Sequence, residues 1–312
     1  MRVLVTGGAG FIGSNLVHAL MRDHQVGVVD DLSTGRIENL HPAASFRKLD
    51  ILDDALADFV AGFEPDAVVH LAAQASVAAS LEDPERDWAV NAEGTRRVAE
   101  VARSVGAKRV LSASSAAVYG DPLALPLPET ARKAPMSPYG ESKLAAEELL
   151  ASELAGSDVD FASLRFSNVF GPRQDWRGEG GVVAIFCATL VSGTVPTIFG
   201  PGTQTRDFIF VGDVVGAILA ALATEERLRD APEGGPAYNI STGEQTSVDA
   251  LAAMLRPLAG YTGPFEYGPV RTGDIEHSAL DPHKARGVFG WNARVPLATG
   301  LQQTYRWFQA NR

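Results

Sequence analysis

The sequence predicts an α/β chain built on a doubly wound parallel sheet, with a smaller lobe interleaved toward the C-terminus. Three observations predict it. Short apolar runs alternate with helix-patterned segments from residue 2 to about residue 166, the order that specifies parallel βαβ units. The run at 67–71 is almost wholly apolar, as a strand covered on both faces should be. The first run, Val3 to Val5, breaks at once into a turn with glycines at 7, 10 and 13, and an apolar helical pattern follows through Phe11, Ile12, Leu16, Val17 and Leu20.

Strand, glycine turn and helix form the context of a Rossmann-type dinucleotide fingerprint. The spacing is G-x-x-G-x-x-G, one residue longer in its first gap than the usual pattern. Gly7 makes the turn, Gly10 lets backbone approach a pyrophosphate, and Gly13 lets helix and strand pack closely. The helix N-terminus adds N–H donors and partial positive charge for phosphates. An ordinary tight βα turn would look the same, so the reading needs further residues to support it. The second strand, 25–29, ends in Asp30-Asp31. Asp30 lies 17 residues after Gly13, near where a Rossmann unit places the carboxylate for the adenosine ribose. A carboxylate there repels a 2′-phosphate and favours NAD over NADP; Arg36 is the one neighbour that could serve such a phosphate, and a solvated strand-end turn is the plainer reading of Asp30.

A third strand at 46–49 ends at Asp50-Ile51. The fourth runs into Leu71, Ala72, Ala73 and Gln74, small residues that let a cofactor pass over the strand end; His70, inside the run, reads as a satisfied interior histidine. A helix over 84–105 carries Asn91. The fifth strand, 109–112, leads to Ser115, a Pro-rich loop covers 121–136, and Ser137 caps a helix through 154 with Pro138 at its first position. The sixth strand is 161–166. Beyond Arg165 glycines break the pattern through Gly181. Helices are then expected at 183–191, 213–223, 248–258 and 297–309, with strands at 197–199 and 206–211. We therefore expect a dinucleotide-binding domain over 1–166, rejoined by about 206–240, and a ligand lobe from 167–205 and 241–312.

The chain has 312 residues, 46% hydrophobic and 21% charged, with a net charge of −11. Its length suits one large or two intimate domains, and its composition an ordinary globular protein. An acidic surface argues against nucleic acid or an anionic membrane as partner. The lone Cys187 rules out a disulfide framework or a cysteine-rich metal site, reads as a small buried hydrophobe, and fits a reducing cytoplasm. No metal site is expected. The fold starts at residue 2, which leaves no room for a signal peptide before it. No apolar run reaches the ~18–20 residues of a membrane span.

Tyr139 and Lys143 are four apart on an expected helix and share one face. An ammonium and a positive nicotinamide ring near a phenol favour its phenolate, so a tyrosine can act as general base near neutral pH. Ser115 comes from a strand C-terminus, where a doubly wound sheet holds its ligand, and its hydroxyl suits the substrate oxygen that exchanges a proton.

With these residues in order, the chain resembles the extended short-chain dehydrogenase/reductase family, and within it the NAD-dependent nucleotide-sugar epimerases of UDP-glucose 4-epimerase type. The matching stretches are Thr-Gly-Gly-Ala-Gly-Phe-Ile-Gly at 6–13, His-Leu-Ala-Ala-Gln at 70–74, Ser-Ala-Ala-Val-Tyr-Gly at 115–120, Ser-Pro-Tyr-Gly-Glu-Ser-Lys at 137–143, Arg-Phe-Ser-Asn-Val-Phe-Gly-Pro at 165–172, Arg206-Asp207-Phe208 and Arg271-Thr272-Gly273-Asp274. The resemblance implies a catalytic triad of Ser115, Tyr139 and Lys143. It implies NAD contacts at Phe11, Ile12, Asp30, Asp31, Leu32, Ser33, Thr34, Gly35, Asp50, Ile51, Leu71, Ala72, Ala73, Gln74, Asn91, Tyr139, Lys143 and Phe166, beside the glycines at 7, 10 and 13. It implies that Asn168, Arg206, Arg271 and Asp274 hold a nucleoside diphosphate; the arginines suit its oxygens through charge-assisted forks. Ser278 falls where some relatives carry a bulky tyrosine, which implies room for an N-acetyl group. Relatives commonly pair as homodimers through the Tyr139 and Asn91 helices.

The implied reaction is redox-neutral 4-epimerisation of a UDP-hexose. Tyr139 takes the 4-hydroxyl proton as C4 gives a hydride to NAD, the 4-keto sugar turns over, and the hydride returns to the opposite face. UDP-glucose and UDP-galactose are the first candidates. UDP-GlcNAc stands open through Ser278, and UDP-glucuronate through Arg173 or Arg177, which could meet a C6 carboxylate. Dehydratase and decarboxylase relatives carry acidic residues just before Val-Tyr-Gly, whereas this chain has Ala116 and Ala117, which supply neither acid nor base for elimination. A 4-ketoreductase, a dehydratase or decarboxylase, and last a non-catalytic NAD-binding regulator are the competing readings.

Overall fold

The computed structural model describes residues 1–121, 124–177, 181–231, 233–270 and 275–311. The first half alternates strands and helices: β1 (Arg2–Thr6), α1 (Phe11–Leu20), β2 (Gln25–Asp30), β3 (Ser45–Lys48), α2 (Ala55–Phe63), β4 (Ala67–His70), α3 (Val77–Glu82), α4 (Pro84–Trp88), α5 (Gly94–Ser104), β5 (Arg109–Ser115), α6 (Pro138–Glu153) and β6 (Asp160–Phe166). The second half holds β7 (Asn168–Phe170), α7 (Val182–Val191), β8 (Thr197–Phe199), β9 (Thr205–Arg206), β10 (Phe208–Phe210), α8 (Val211–Ala223), β11 (Ala237–Ile240), β12 (Thr246–Ser247), α9 (Val248–Ala259), β13 (Glu266–Gly268), α10 (His283–Phe289) and α11 (Leu297–Ala310). Seven strands of the described residues form one sheet in the order β11-β6-β5-β4-β1-β2-β3. Its neighbours are all parallel, the expected doubly wound architecture.

The alternation of side chains along each strand divides the sheet into two cores. Val3, Val5, Val28, Val69, Leu111 and Leu164 face α1 and α8, meeting Leu16, Leu20, Val214 and Ile218. Leu4, Val29, Val68, Val110 and Phe161 face the other way, onto Leu56, Val60, Val98, Ala102, Leu150 and Leu154 of α2, α5 and α6. Each full burial of such a side chain contributes about 1.5–3 kcal/mol, so both faces of one strand are committed at once. That is why these strands read as continuous apolar runs. A third cluster packs α7, α9 and α11 around Phe170, Phe208 and Phe210. Cys187 is fully buried in it, and burial pushes its thiol up to about 12.

Some elements differ from expectation. The single helix expected over 84–105 is three pieces: α4, a π-helical turn at Ala89–Glu93, and α5. The π turn encloses Asn91, whose amide is bonded on all sides (below), and such turns mark local function. The fifth strand runs past 112 to Ser115, because Ser114 and Ser115 pair with Arg165 and Phe166. The helices α2, α3 and α10 and the strand β11 were not anticipated. No helix of the described residues is long and apolar enough to cross a membrane, and they hold no group of three metal-ligating side chains.

His70 is the interior histidine expected. It is 3% exposed and sits between two threonines, with Nδ1 2.7 Å from Thr6 Oγ1 and Nε2 3.1 Å from Thr95 Oγ1. The Thr95 hydroxyl donates its only proton to the Asn91 carbonyl at 2.6 Å. His70 must therefore donate from Nε2 and accept at Nδ1, and a network of this kind fixes a tautomer. Burial, and then the Lys143 ammonium, push its pKa down to about 3. The unfolded chain binds a proton near 6.5 and the folded chain does not. Stability is therefore complete above 6.5 and falls as pH drops below it, by at most about 1.4 kcal/mol per pH unit from this group. Urea unfolding at pH 7 and pH 5 checks this: His70→Asn should lower stability at pH 7 and flatten the acid-side slope relative to wild type.

Candidate active site

One cleft of about 1270 Å³ runs along the C-terminal ends of the parallel strands, roomier than the ~300–1,000 Å³ of a typical small-ligand pocket. Its floor is the turn after β1. Gly7 has φ +70°, and a Cβ there would lie 2.6 Å from the Ala72 amide nitrogen. At Gly13 a Cβ would lie 2.1 Å from the Gly7 carbonyl oxygen, so α1 lies directly on the turn. Gly10, Phe11, Ile12 and Gly13 all line the cleft, and no side chain caps α1. An uncapped first turn facing a cleft receives anions.

Asp30 is 6% exposed at the end of β2 and lines the same cleft. One carboxylate oxygen accepts the Ala9 N–H and the other the Leu32 N–H, each at 2.9 Å. Burial raises its pKa above the ordinary carboxylate value, against the pull of these donors. Asp31, Ser33, Thr34, Asp50, Ile51, Leu71, Ala72, Ala73 and Gln74 complete this half of the wall. Asp50 also accepts from Arg86 at 3.2 Å. The bare turn, the open helix end and the buried acceptor fit a dinucleotide with a free ribose diol. These residues would hold NAD.

Three expected contacts lie elsewhere. Asn91 is 1% exposed behind the wall. Its Nδ2 donates to the Gln74 carbonyl and its Oδ1 accepts the Gln74 N–H, while Ser142 and Asp87 take the rest of the amide. Asn91 thus shapes the 71–74 segment from behind, and both N–H bonds of its amide are taken by the protein. Leu32, with φ +63°, and Gly35 belong to the turn around Asp30 and are not part of the wall. A Cβ at Gly35 would lie 2.6 Å from the Asp30 carboxylate, so Gly35 acts by leaving Asp30 its room.

The catalytic candidates converge on the middle of the cleft, where Ser115, Tyr139, Lys143 and Phe166 share the wall. Ser137 caps α6 by accepting the Gly140 N–H at 3.1 Å, and Pro138 opens the helix. Tyr139 is thereby placed in the first turn. Lys143 is 5% exposed, with Nζ donating to the Ala113 carbonyl at 3.1 Å and lying 6.0 Å from the Tyr139 ring centroid. The Ser115 hydroxyl oxygen accepts the Ala117 N–H at 3.2 Å, so its proton remains available to a ligand oxygen.

The far half is less fully brought together. Asn168 lines the cleft. Arg206 and Ser278 lie outside its described wall and beside each other: Arg206 donates to the Thr205 and Glu276 carbonyls, and Ser278 N–H donates to the Thr205 carbonyl. Between them in the chain stands Asp207. Fully buried, it accepts from Thr242, Gly243 and Leu280, which anchors β9 and its neighbours to the loop after β11. Arg271 and Asp274 lie outside the described residues. Arg177 is exposed and stacks on Trp176 at 4.9 Å. Arg173, at φ +72°, lies near enough to His18 of α1 to lower its pKa, second to burial. It therefore sits on the α1 side of the cleft. Sequence reasoning missed Glu147 and gave Arg165 no role, although a charged residue inside a covered strand and an acid one turn beyond Lys143 were both visible.

Gly13→Ala forces α1 off the turn. Titration calorimetry with NAD should show at least a tenfold loss of affinity, with a lowered melting temperature. Gly10→Ala, whose added methyl group would lie 3.3 Å from the Gly7 oxygen but on the cleft side, should lose affinity with a smaller change in melting temperature.

Comparison with known proteins agrees with this geometry. The family model for the NAD dependent epimerase/dehydratase family matches residues 3–241. The chain is 44% identical over 316 aligned residues to a UDP-glucose 4-epimerase of Mycolicibacterium smegmatis, covering 99% of each chain. Among solved structures it is similar to UDP-glucose 4-epimerase with UDP-glucose from Thermotoga maritima, with TM-score 0.94, 39% identity, and coverage of 100% of this chain and 99% of that one. It is also similar to the UDP-glucose 4-epimerase of Thermus thermophilus in complex with NAD, with TM-score 0.91, 37% identity and 100% coverage of both. With the cradle for a dinucleotide and a Ser115-Tyr139-Lys143 wall in one cleft, and such proteins matching it end to end, the chain belongs to the NAD dependent epimerase/dehydratase family.

Proposed function

We propose that this enzyme interconverts UDP-glucose and UDP-galactose by NAD-dependent 4-epimerisation. The observation that carries the reading is the convergence of Ser115, Tyr139 and Lys143 on the wall that also holds the dinucleotide cradle. NAD, when bound, supplies a reversible hydride acceptor. The chain's own residues handle the proton and the orientation. Tyr139 accepts the proton of the 4-hydroxyl and returns it after the sugar has turned. Lys143, seated on the Ala113 carbonyl, keeps a positive charge beside the phenol and favours its phenolate. The Ser115 hydroxyl donates to the same sugar oxygen. Asn168, Arg206, Arg271 and Asp274 act on the nucleotide side, Ser278 borders the sugar, and the gripped diphosphate leaves the hexose free to rotate.

Ala116 and Ala117 follow Ser115 in a short 3-10 turn, so the residues next to the catalytic hydroxyl offer no acid or base for dehydration. That favours epimerisation over the dehydratase and decarboxylase chemistry of other family members. Arg173 and Arg177 both line the cleft, so UDP-glucuronate is kept as a substrate to be tested beside the neutral hexose. We assign residues 1–166 and about 206–240 to the dinucleotide-binding domain, and 167–205 and 241–312 to the sugar-nucleotide lobe. We assign the pairing surface of a homodimer to α6 and the helix of Asn91. Trp88 on the adjoining α4 is 45% exposed, which supplies an apolar contact there.

A proton NMR time course tests the reading. Purified protein without added cofactor receives UDP-glucose, UDP-GlcNAc or UDP-glucuronate in separate tubes. A 4-epimer is expected from UDP-glucose, and Tyr139→Phe should slow its appearance by at least about a hundredfold, the lower end of general-base contributions. Conversion only on addition of NADH and a 4-keto sugar, with stoichiometric oxidation, would replace the epimerase by a ketoreductase.

A further inference from the structure

Behind the catalytic wall lies a charged group that the reaction as described does not use. Glu147 is on α6, four residues beyond Lys143 and eight beyond Tyr139, so the three side chains follow one stripe of the helix. Its side chain is 10% exposed and that of Arg165, in β6, is 2% exposed. They form a two-pronged pair, Nε to Oε1 at 2.8 Å and Nη2 to Oε2 at 2.6 Å. Bidentate pairs of this kind fix geometry as well as charge. The same Oε1 accepts the hydroxyl of Ser114 at 2.5 Å. Ser114 is the residue before Ser115, and the residue before that, Ala113, supplies the carbonyl that holds Lys143.

Two successive turns of α6 thus grip two successive residues of β5, and the third residue of that strand carries the catalytic hydroxyl. Arg165 extends the grip. Its remaining Nη1 donates to the Tyr119 hydroxyl at 2.8 Å, which donates to Asn239 of β11 at 2.8 Å. Tyr119 stands in the turn just after Ser115, so both sides of Ser115 are tied to the one guanidinium.

We propose that Glu147 is a positioning residue of the reaction: through Ser114 and Arg165 it holds the end of β5 against α6, so that Ser115 and Tyr139 address the same substrate oxygen. This rests on the epimerase reading for the identity of the reaction, but the geometry it asserts does not. A burial-only role would let any change that preserves the fold preserve the rate. A positioning role makes the rate depend on the length of the Glu147 side chain and on the Ser114 hydroxyl.

Two variants separate these. Glu147→Asp keeps the charge that neutralises Arg165 and withdraws the carboxylate from Ser114. Ser114→Ala leaves the ion pair and removes the tether; Ser114 also lines the cleft, and an unchanged KM distinguishes lost positioning from a lost ligand contact. Each should lower kcat for UDP-galactose by tenfold or more, as sub-ångström to ångström misplacement does, with unchanged KM, bound dinucleotide and melting temperature. Wild-type kcat in both, or losses that merely track melting temperature or cofactor content, would overturn the proposal. Should Glu147→Asp fail to fold, Ser114→Ala decides alone. Crystal structures of wild type and Ser114→Ala give a readout independent of turnover: Ser115 should shift relative to Tyr139 by about 0.5 Å or more, the tolerance of a productive site. Superposable sites would overturn the proposal even if wild type converted no UDP-sugar, an outcome that would count separately against the functional reading.

Discussion

The cleft depends on how closely α1 can approach the turn after β1. A Cβ at Gly13 would stand 2.1 Å from the Gly7 oxygen and one at Gly8 would stand 2.6 Å from Val28, so no other residue leaves the helix where it is. That approach does two things together. It points the open helix end at the cleft, and it seats Leu16, Val17 and Leu20 on the sheet face made by Val3, Val5 and Val28. At Gly13 the anion site and the hydrophobic core are therefore one constraint seen from two sides.

The same economy holds one strand over. The run Ala72 N–H to Thr6, Thr6 to His70, His70 to Thr95 and Thr95 to the Asn91 carbonyl joins β1, β4, α5 and the π turn behind the cleft. Asn91 then grips Gln74 with both ends of its amide. The segment that a dinucleotide passes over is small on its outer side and fixed by polar bonds on its inner side. A charged His70 would put a proton on Nδ1 against the Thr6 hydroxyl, so burial and hydrogen bonding both hold it neutral.

Most of this fold was legible because its signals are local. A strand buried on both faces must be apolar throughout, so 67–71 could be read directly. The glycine turn must avoid Cβ atoms, so residues 7, 10 and 13 could be read as well. The Ser115-Tyr139-Lys143 wall was legible because a helix places i and i+4 together and a parallel sheet delivers strand ends to one side. What escaped depends on partners far along the chain. Asn91 looked like a ligand contact because its type and place suit one; only the fold shows that Gln74, Asp87 and Ser142 occupy its amide. Ser278 and Arg206 lie outside the described wall of the cleft, beside the Asp207 anchor made with Thr242, Gly243 and Leu280, and that long-range tie has no local signal. The edge strand β11 was missed because its four residues carry Asn239, which bonds Tyr119, Leu127 and Asp281 and so breaks the apolar run that would have announced it.

The two halves of the cleft are joined by polar contacts rather than by a shared core alone. Asn15 of α1 donates to the Pro172 carbonyl at 3.1 Å, and Arg36, in the loop after β2, lies 3.7 Å from Asp175. The loop after β7 is thereby tied to the cofactor half at both the helix and the ribose-side turn. The Arg36–Asp175 pair is solvent-exposed and weak on its own, whereas Asn15 also bonds the Phe11 carbonyl at 2.9 Å and so couples the loop to the uncapped helix start. A reaction in which a sugar must turn over so that its opposite face meets the same cofactor needs a rigid cofactor floor and a less constrained sugar site. The distribution of bonds fits that need: dense behind Gln74, Ser115 and Lys143, and sparse where Arg173 and Gln174 face the cleft.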